Sequence, residues 1–205
     1  TTSFPRDITS KMVKSMAKNS KVCRQLHLPV QSGSNRVLKM MNRSYTIEWY
    51  RESVLKLKES MPDLSLSTDI IVGFSDESEE DFAQTMQLIE DIRFDTIYSF
   101  MYSVRPGTPG EKMSSHVNEE IALDRLHRLQ LRQREITLEN NLEQLNKDFD
   151  VLIEGASKNN PKDLFGRTSQ NKVVNIRNLD SSYIGKIVKV RTKEAHQNSF
   201  VGELI

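Results

Sequence analysis

Two periodicities divide this chain. Apolar Ile8, Met12, Val13 and Met16 fall at helical spacing, so residues 8–17 read as an amphipathic helix. Leu26, Leu28 and Val30 then alternate with His27, Pro29 and Gln31, the pattern of a short strand with Pro29 at its end. Ser32-Gly33-Ser34 reads as the turn, and Asn35 as the cap of a helix through Met41. Thr46 is placed to cap a longer helix, Ile47 to Ser60, whose inner face is Tyr50, Val54, Leu57 and Met61. Pro62 stops it. From Leu64 the chain alternates and then becomes wholly apolar at Ile70-Ile71-Val72, as in a strand covered on both faces. Gly73 ends that strand, and Ser78 with Asp81 three residues on reads as a capping box opening a helix to Ile92. Residues 96–102, TIYSFMY, read as a third strand. Strands alternating with helices argue for parallel βαβ units.

The pattern changes in the last third. Residues 119–146 form a long charged helical segment with two apolar seams. Beyond Phe149 come short β runs at 150–153, 172–176, 187–192 and 199–204, punctuated by Gly155, Pro161 and Gly185. Closely spaced short strands predict a small antiparallel barrel. The division expected is residues 1–147 and residues 148–205.

Composition adds four points. Hydrophobic content of 37% against 28% charged residues predicts a modest core beneath solvated helices. The net charge of +1 does not itself point to nucleic acid, although the barrel segment holds more bases than acids. No apolar run is long enough to cross a membrane and no apolar leader is visible, so the expectation is a cytoplasmic protein without a membrane partner. The single cysteine, Cys23, excludes an internal disulfide and a cysteine-only metal site, and reads as a buried thiol beside Leu26.

The candidate chemistry sits at strand ends. Gln31, Ser32 and Ser34 put an amide and two hydroxyls on a glycine turn, which suits either a polar ligand or an ordinary strand-to-helix turn. Asp69 is a carboxylate inside an apolar strand, costly unless it is paired or serves a ligand. Gly73 allows close approach at the next turn. Arg43 and Arg105 lie in connectors, where each can neutralise a carboxylate or phosphate, or remain a solvated arginine. The four histidines are scattered, and no metal cluster, catalytic triad, phosphate loop or dinucleotide fingerprint is present.

Three motifs in order, HLPVQSGSNRVLKMMNRSYT at 27–46, STDIIVGFSDESEEDF at 67–82 and FDTIYSFMYSVRPGTP at 94–109, resemble the radical S-adenosylmethionine tRNA methylthiotransferases. GRTSQNK at 166–172 and the stretch from Ile184 to Leu204 resemble their RNA-binding TRAM domain. The resemblance covers nearly all of the chain and implies an α/β fold: the later part of a partial parallel (β/α) radical-SAM barrel, then a small antiparallel β-barrel. It implies S-adenosylmethionine held by Gln31, Ser32, Ser34, Arg43, Asp69 and Gly73. Contacts to the tRNA anticodon stem-loop are expected from Arg105, Arg167, Lys172, Arg191 and Lys193.

The resemblance also implies that bound S-adenosylmethionine yields a radical that abstracts hydrogen from C2 of N6-isopentenyladenosine, where a methylated sulfur is inserted. Sulfur and reducing-electron donors follow as partners. The family's [4Fe-4S] clusters are held by cysteines upstream of the region matched here, so no catalytic or metal residue is expected within this chain, which alone should be inactive. Its usual turn GFPGE reads GFSDE, with Ser75 and Asp76 in place of Pro and Gly. Three alternatives stay open: a branch acting on threonylcarbamoyladenosine, a non-catalytic RNA-binding protein, and a branch acting on a ribosomal-protein aspartate. The last usually carries an acidic residue where Arg105 stands.

Overall fold

The computed structural model describes residues 4–104, 106, 107, 109–113, 115–157, 160 and 162–205. Two compact units emerge, residues 1–20 with 26–136, and residues 21–25 with 137–205.

The first unit is built on a three-stranded sheet, β1 (Gln25–His27), β2 (Ser65–Val72) and β3 (Thr96–Met101), in that spatial order. β2 and β3 run parallel, with Asp69 opposite Tyr98 and Ile71 opposite Phe100. Beyond β1, Gln31 forms a parallel bridge with Ile70. Helices α1 (Ser10–Lys18), α2 (Asn35–Met40), α3 (Ile47–Ser60), α4 (Glu79–Ile92) and α5 (Glu119–Leu142) complete the described elements of α-helix. Leu28, Ile70, Val72, Phe82 and Phe94 are fully buried. Tyr50 is buried with them and donates its hydroxyl to the Leu28 carbonyl at 2.8 Å. Burial pushes that phenol well above its usual range.

Local chemistry fixes the helix starts. The Thr46 hydroxyl accepts the Trp49 N–H at α3. At α4 the Ser78 hydroxyl accepts the Asp81 N–H while the Asp81 carboxylate accepts the Ser78 N–H, a reciprocal box. The cap of α2 is Ser34 rather than Asn35, because the Ser34 hydroxyl faces the Val37 N–H. Asn35 instead accepts the Ile47 N–H and donates to Glu48.

The second unit is a closed barrel of β4 (Asp148–Ala156), β5 (Leu164–Thr168), β6 (Val173–Ile176), β7 (Ile187–Ala195) and β8 (Phe200–Leu204), in the order β4-β5-β6-β8-β7. Val151, Ile153, Leu164, Val174, Val190 and Phe200 fill its interior. Register shifts at Ile153/Gly155 and Thr192/Glu194 bend two long strands, as closure of so few strands requires. Gly166 permits closure too, since a Cβ there would lie 2.3 Å from the Leu152 carbonyl oxygen.

Several expectations are corrected. β5 is a strand beyond the four runs expected in this segment. The barrel is not wholly antiparallel, because β6 and β8 run parallel. The long helix ends at Leu142, followed by turns that bring Asn146 N–H to the Thr192 carbonyl. Cys23 is exposed, not buried. Among the described residues, no helix is long and apolar enough to cross a membrane.

Candidate functional site

The C-terminal ends of the parallel strands open onto a cleft of about 730 Å³, and ligands collect at this end of such sheets. Gln31 contributes from beyond β1. Its N–H donates to the Asp69 carbonyl at 2.8 Å and its carbonyl accepts the Ile71 N–H at 2.9 Å. These two bonds hold Gln31 at φ 74°, a left-handed conformation that costs a side-chain-bearing residue of order 1–2 kcal/mol. The amide is thereby fixed at the cleft wall.

Asp69 enters from β2 and Arg43 from the turn after α2. That turn is reversed at Asn42, φ 57°, and closed by the Arg43 N–H to the Leu38 carbonyl at 2.8 Å. The Nε atom of Arg43 is buried and has no hydrogen-bond partner among the described residues. Asp69 is partly open rather than buried, with side-chain exposure of 29%, and its Oδ1 lies 3.4 Å from His27 Nε2. The other ring nitrogen of His27 meets the Ser67 hydroxyl at 3.0 Å, and the ring sits edge-on to Tyr98. His27 is thus a partnered side chain of the open sheet face.

Apolar groups complete the wall. Phe74 and Tyr102 pack at 4.5 Å between centroids, and Phe100 stands more than half exposed. Met40, Met41 and Met101 add polarizable contacts. Tyr45 braces the segment behind, donating to the Val30 carbonyl at 3.1 Å. Burial raises its phenol to about 12 despite the nearby Arg43 charge.

Of the six expected cofactor residues, Gln31, Arg43 and Asp69 line the cleft, and Ser32, Ser34 and Gly73 are not among its lining residues. Ser32 is buried beside Thr85, and Ser34 donates to Asp81 at 2.6 Å while capping α2. Gly33 lies between them with no room for a Cβ, which would come 2.4 Å from the Thr85 Cα. The three residues seat the loop on α4. Gly73, at φ +71°, donates its N–H to Glu77 Oε2 at 2.7 Å. In the following turn Asp76 takes φ 61°, the conformation a glycine would adopt freely. Ser75 is fully buried, its hydroxyl 2.9 Å from His116 Nδ1.

The expected RNA contacts are placed less simply. Arg105 lies outside the described residues. Arg167 pairs with Glu154 at 3.2 Å, and Lys193 with Glu203 at 3.4 Å. Arg191 makes a two-pronged bond with Asp148 at 2.7 and 2.9 Å. That bond holds the Asp148 carboxyl below its usual range. Lys172 donates to the Asn141 side chain at 3.0 Å. Arg167, Arg191 and Lys193 thus stand in cross-strand ion pairs, whereas Lys172 bonds to an amide. Among the described residues, no group of three or more His, Cys, Asp or Glu is placed to hold a metal.

Residues 2–89 match the radical SAM superfamily and residues 143–205 match the TRAM domain. The two matches follow one another along the chain. All three cofactor candidates that line the cleft fall within residues 2–89, the stretch similar to the radical SAM superfamily. Over 204 residues the chain is 47% identical to a tRNA-2-methylthio-N(6)-dimethylallyladenosine synthase of Alkaliphilus oremlandii, covering 100% of this chain and 43% of that protein. An Acetivibrio thermocellus protein of the same name is 48% identical over 205 residues, with 100% and 42% covered. The chain therefore spans less than half the length of these curated relatives. Among solved structures, the radical SAM enzyme coproporphyrinogen III oxidase (HemN) of Escherichia coli superposes with a TM-score of 0.56 at 13% identity. The match covers 97% of this chain and 49% of that one, and it supports the fold alone.

Proposed function

We propose that this chain is part of a radical SAM methylthiotransferase that modifies C2 of N6-isopentenyladenosine beside the anticodon of tRNA. One observation carries the reading: the buried Arg43 Nε, without a partner among the described residues, at a cleft that also holds Gln31 and Asp69. A buried guanidinium donor left unpaired is costly, so it is suited to an anionic ligand group. Asp69 offers an acceptor for ribose hydroxyls, Gln31 an amide of both senses, and Phe74 with Tyr102 an aromatic wall for a purine. A nucleoside carrying an amino-acid group matches this donor set, and S-adenosylmethionine is one.

When bound with a reduced [4Fe-4S] cluster, that cofactor supplies the radical chemistry of the superfamily. The residues here do the rest of the binding work. Arg43 holds a carboxylate, Asp69 and Gln31 orient the sugar, and the methionines with Phe100 keep water from the reacting face. The cluster does not fit this chain, whose one cysteine falls short of the thiolates required; on this reading its ligands come from the part of the relatives' length that this chain does not span. Support for the substrate comes from the curated relatives' name and from the TRAM match. On this reading the protein works in the cytoplasm on tRNA, with sulfur and electron donors as partners.

The test uses the full-length enzyme. Arg43→Met and Asp69→Asn should each weaken S-adenosylmethionine binding by roughly ten- to a hundred-fold in calorimetry while leaving tRNA affinity unchanged. Mass spectrometry of tRNA nucleosides should show the loss of 2-methylthio product. Unchanged cofactor affinity in both variants would overturn the assignment of the cleft.

A further inference from the structure

No Asp or Glu lies between Asp7 and Glu48, a stretch that holds eight Lys and Arg. The rest of the chain carries 21 bases against 28 acids, so positive charge is concentrated here. Part of it has structural employment, since Arg36 pairs with Asp81. The lysines of α1 do not. Lys11, Lys14 and Lys18 are exposed and have no carboxylate partner among the described residues. With Ser10 and Ser15 they line a shallow groove of about 350 Å³.

The helix is built to present them. The Thr9 hydroxyl accepts the Met12 N–H at 3.2 Å, and Val13 and Met16 are buried on the opposite face. Spacings of three and four residues put the lysines on one stripe, with about 10 Å of helix axis between Lys11 and Lys18. That length matches about three phosphates of one nucleic-acid strand. Serine hydroxyls interleaved with lysines are the donor set that contacts phosphate oxygens. The TRAM domain differs, because Arg167, Arg191 and Lys193 are already engaged by carboxylates that a phosphate would have to displace.

We infer that the Lys11–Lys14–Lys18 face of α1 is an RNA phosphate-binding surface, a second grip on the substrate supplied by the radical SAM segment. The inference rests on the tRNA-modifying reading above. RNA is favoured over an anionic membrane because α1 turns its apolar residues inward and leaves no exposed apolar side chain along this stripe to enter a bilayer.

The test compares full-length wild type with the triple variant Lys11→Gln/Lys14→Gln/Lys18→Gln, using an anticodon stem-loop oligonucleotide across a salt series. The slope of log affinity against log salt should flatten by roughly 2 to 3. S-adenosylmethionine affinity and the melting temperature should stay at wild-type values, and the triple arginine variant should restore the slope. An unchanged slope in the glutamine variant overturns the inference. So does loss of binding to phosphatidylglycerol vesicles with RNA binding intact, which would assign the face to membranes. A wild-type enzyme that binds cofactor but ignores the stem-loop overturns the tRNA reading itself, and this inference with it.

Discussion

The guanidinium of Arg125, on α5, meets the carboxylate of Glu77 at 2.8 Å, and both side chains are almost closed to solvent. The same carboxylate oxygen accepts the Gly73 N–H, and Arg125 also donates to the Glu77 carbonyl. Ala122 of α5 lies so close to Gly73 that a Cβ there would come within 2.6 Å of it. The turn between Ile71 and Phe74, two cleft residues, is therefore pinned through Glu77 to an arginine that also pairs with Glu79. Arg125→Met should destabilise the first unit by roughly 3–5 kcal/mol, because it strands a buried carboxylate. Adding Glu77→Gln should recover part of that loss. Urea denaturation of the single and double variants measures both.

Acid sensitivity should divide between two carboxylates of opposite behaviour. Burial works to raise the Asp81 carboxyl, but bonds from Arg36, Ser34 and Ser78 outweigh it and hold that group below its usual range. A depressed native value means the contribution is present above the unfolded value of about 3.9 and fades as pH falls below it. Glu77 is shifted the other way: burial raises it, although Gly73 and Arg125 oppose the shift. Its raised native value costs stability at neutral pH, a cost relieved as the group protonates. Asp81→Asn should lower stability at pH 7 by roughly 2–4 kcal/mol and flatten its decline below pH 4. Thermal melts across pH 3–7 check both the offset and the slope.

Gly33→Ala should be poorly tolerated although Gly33 is not at positive φ. The new methyl would meet the α4 backbone at Thr85, which cannot rotate aside. A loss of roughly 1–3 kcal/mol is expected from overpacking, together with weaker cofactor binding as the loop shifts. Circular dichroism melts and cofactor titration give the two readouts.

The barrel's ion pairs make a further prediction. If Arg191 meets RNA phosphate, it must leave Asp148, so Asp148→Asn should strengthen stem-loop binding at low salt. The gain should vanish at high salt. Filter binding at two ionic strengths decides the matter.

Where local chemistry decides an element, the sequence shows it plainly. The Thr46 cap, the Ser78–Asp81 box and the apolar core of β2 each depend on residues within a few positions. β5 was not among the runs read from the sequence, since Gly166 interrupts its apolar pattern; only Leu152, from a neighbouring strand, shows why a glycine must stand there. The carboxylate partners of the barrel's bases were not legible, because Asp148 lies 43 residues from Arg191. At the cleft, Gln31 and Asp69 stand out as polar residues at the ends of apolar strands. The aromatic and methionine walls did not, since Phe74 and Tyr102 look like ordinary core residues until the fold pairs them. No sequence signal marked Gln31 for a left-handed backbone.

That backbone makes Gln31 a place where stability and use pull apart. Glycine would occupy the same φ without steric conflict, so Gln31→Gly should leave the native fold intact and relieve about 1 kcal/mol of conformational strain. It would also delete the one amide that the turn exists to aim. A screen for thermal tolerance alone would favour the glycine, whereas a screen for cofactor retention would reject it. The residue therefore reports which of the two demands has shaped this position.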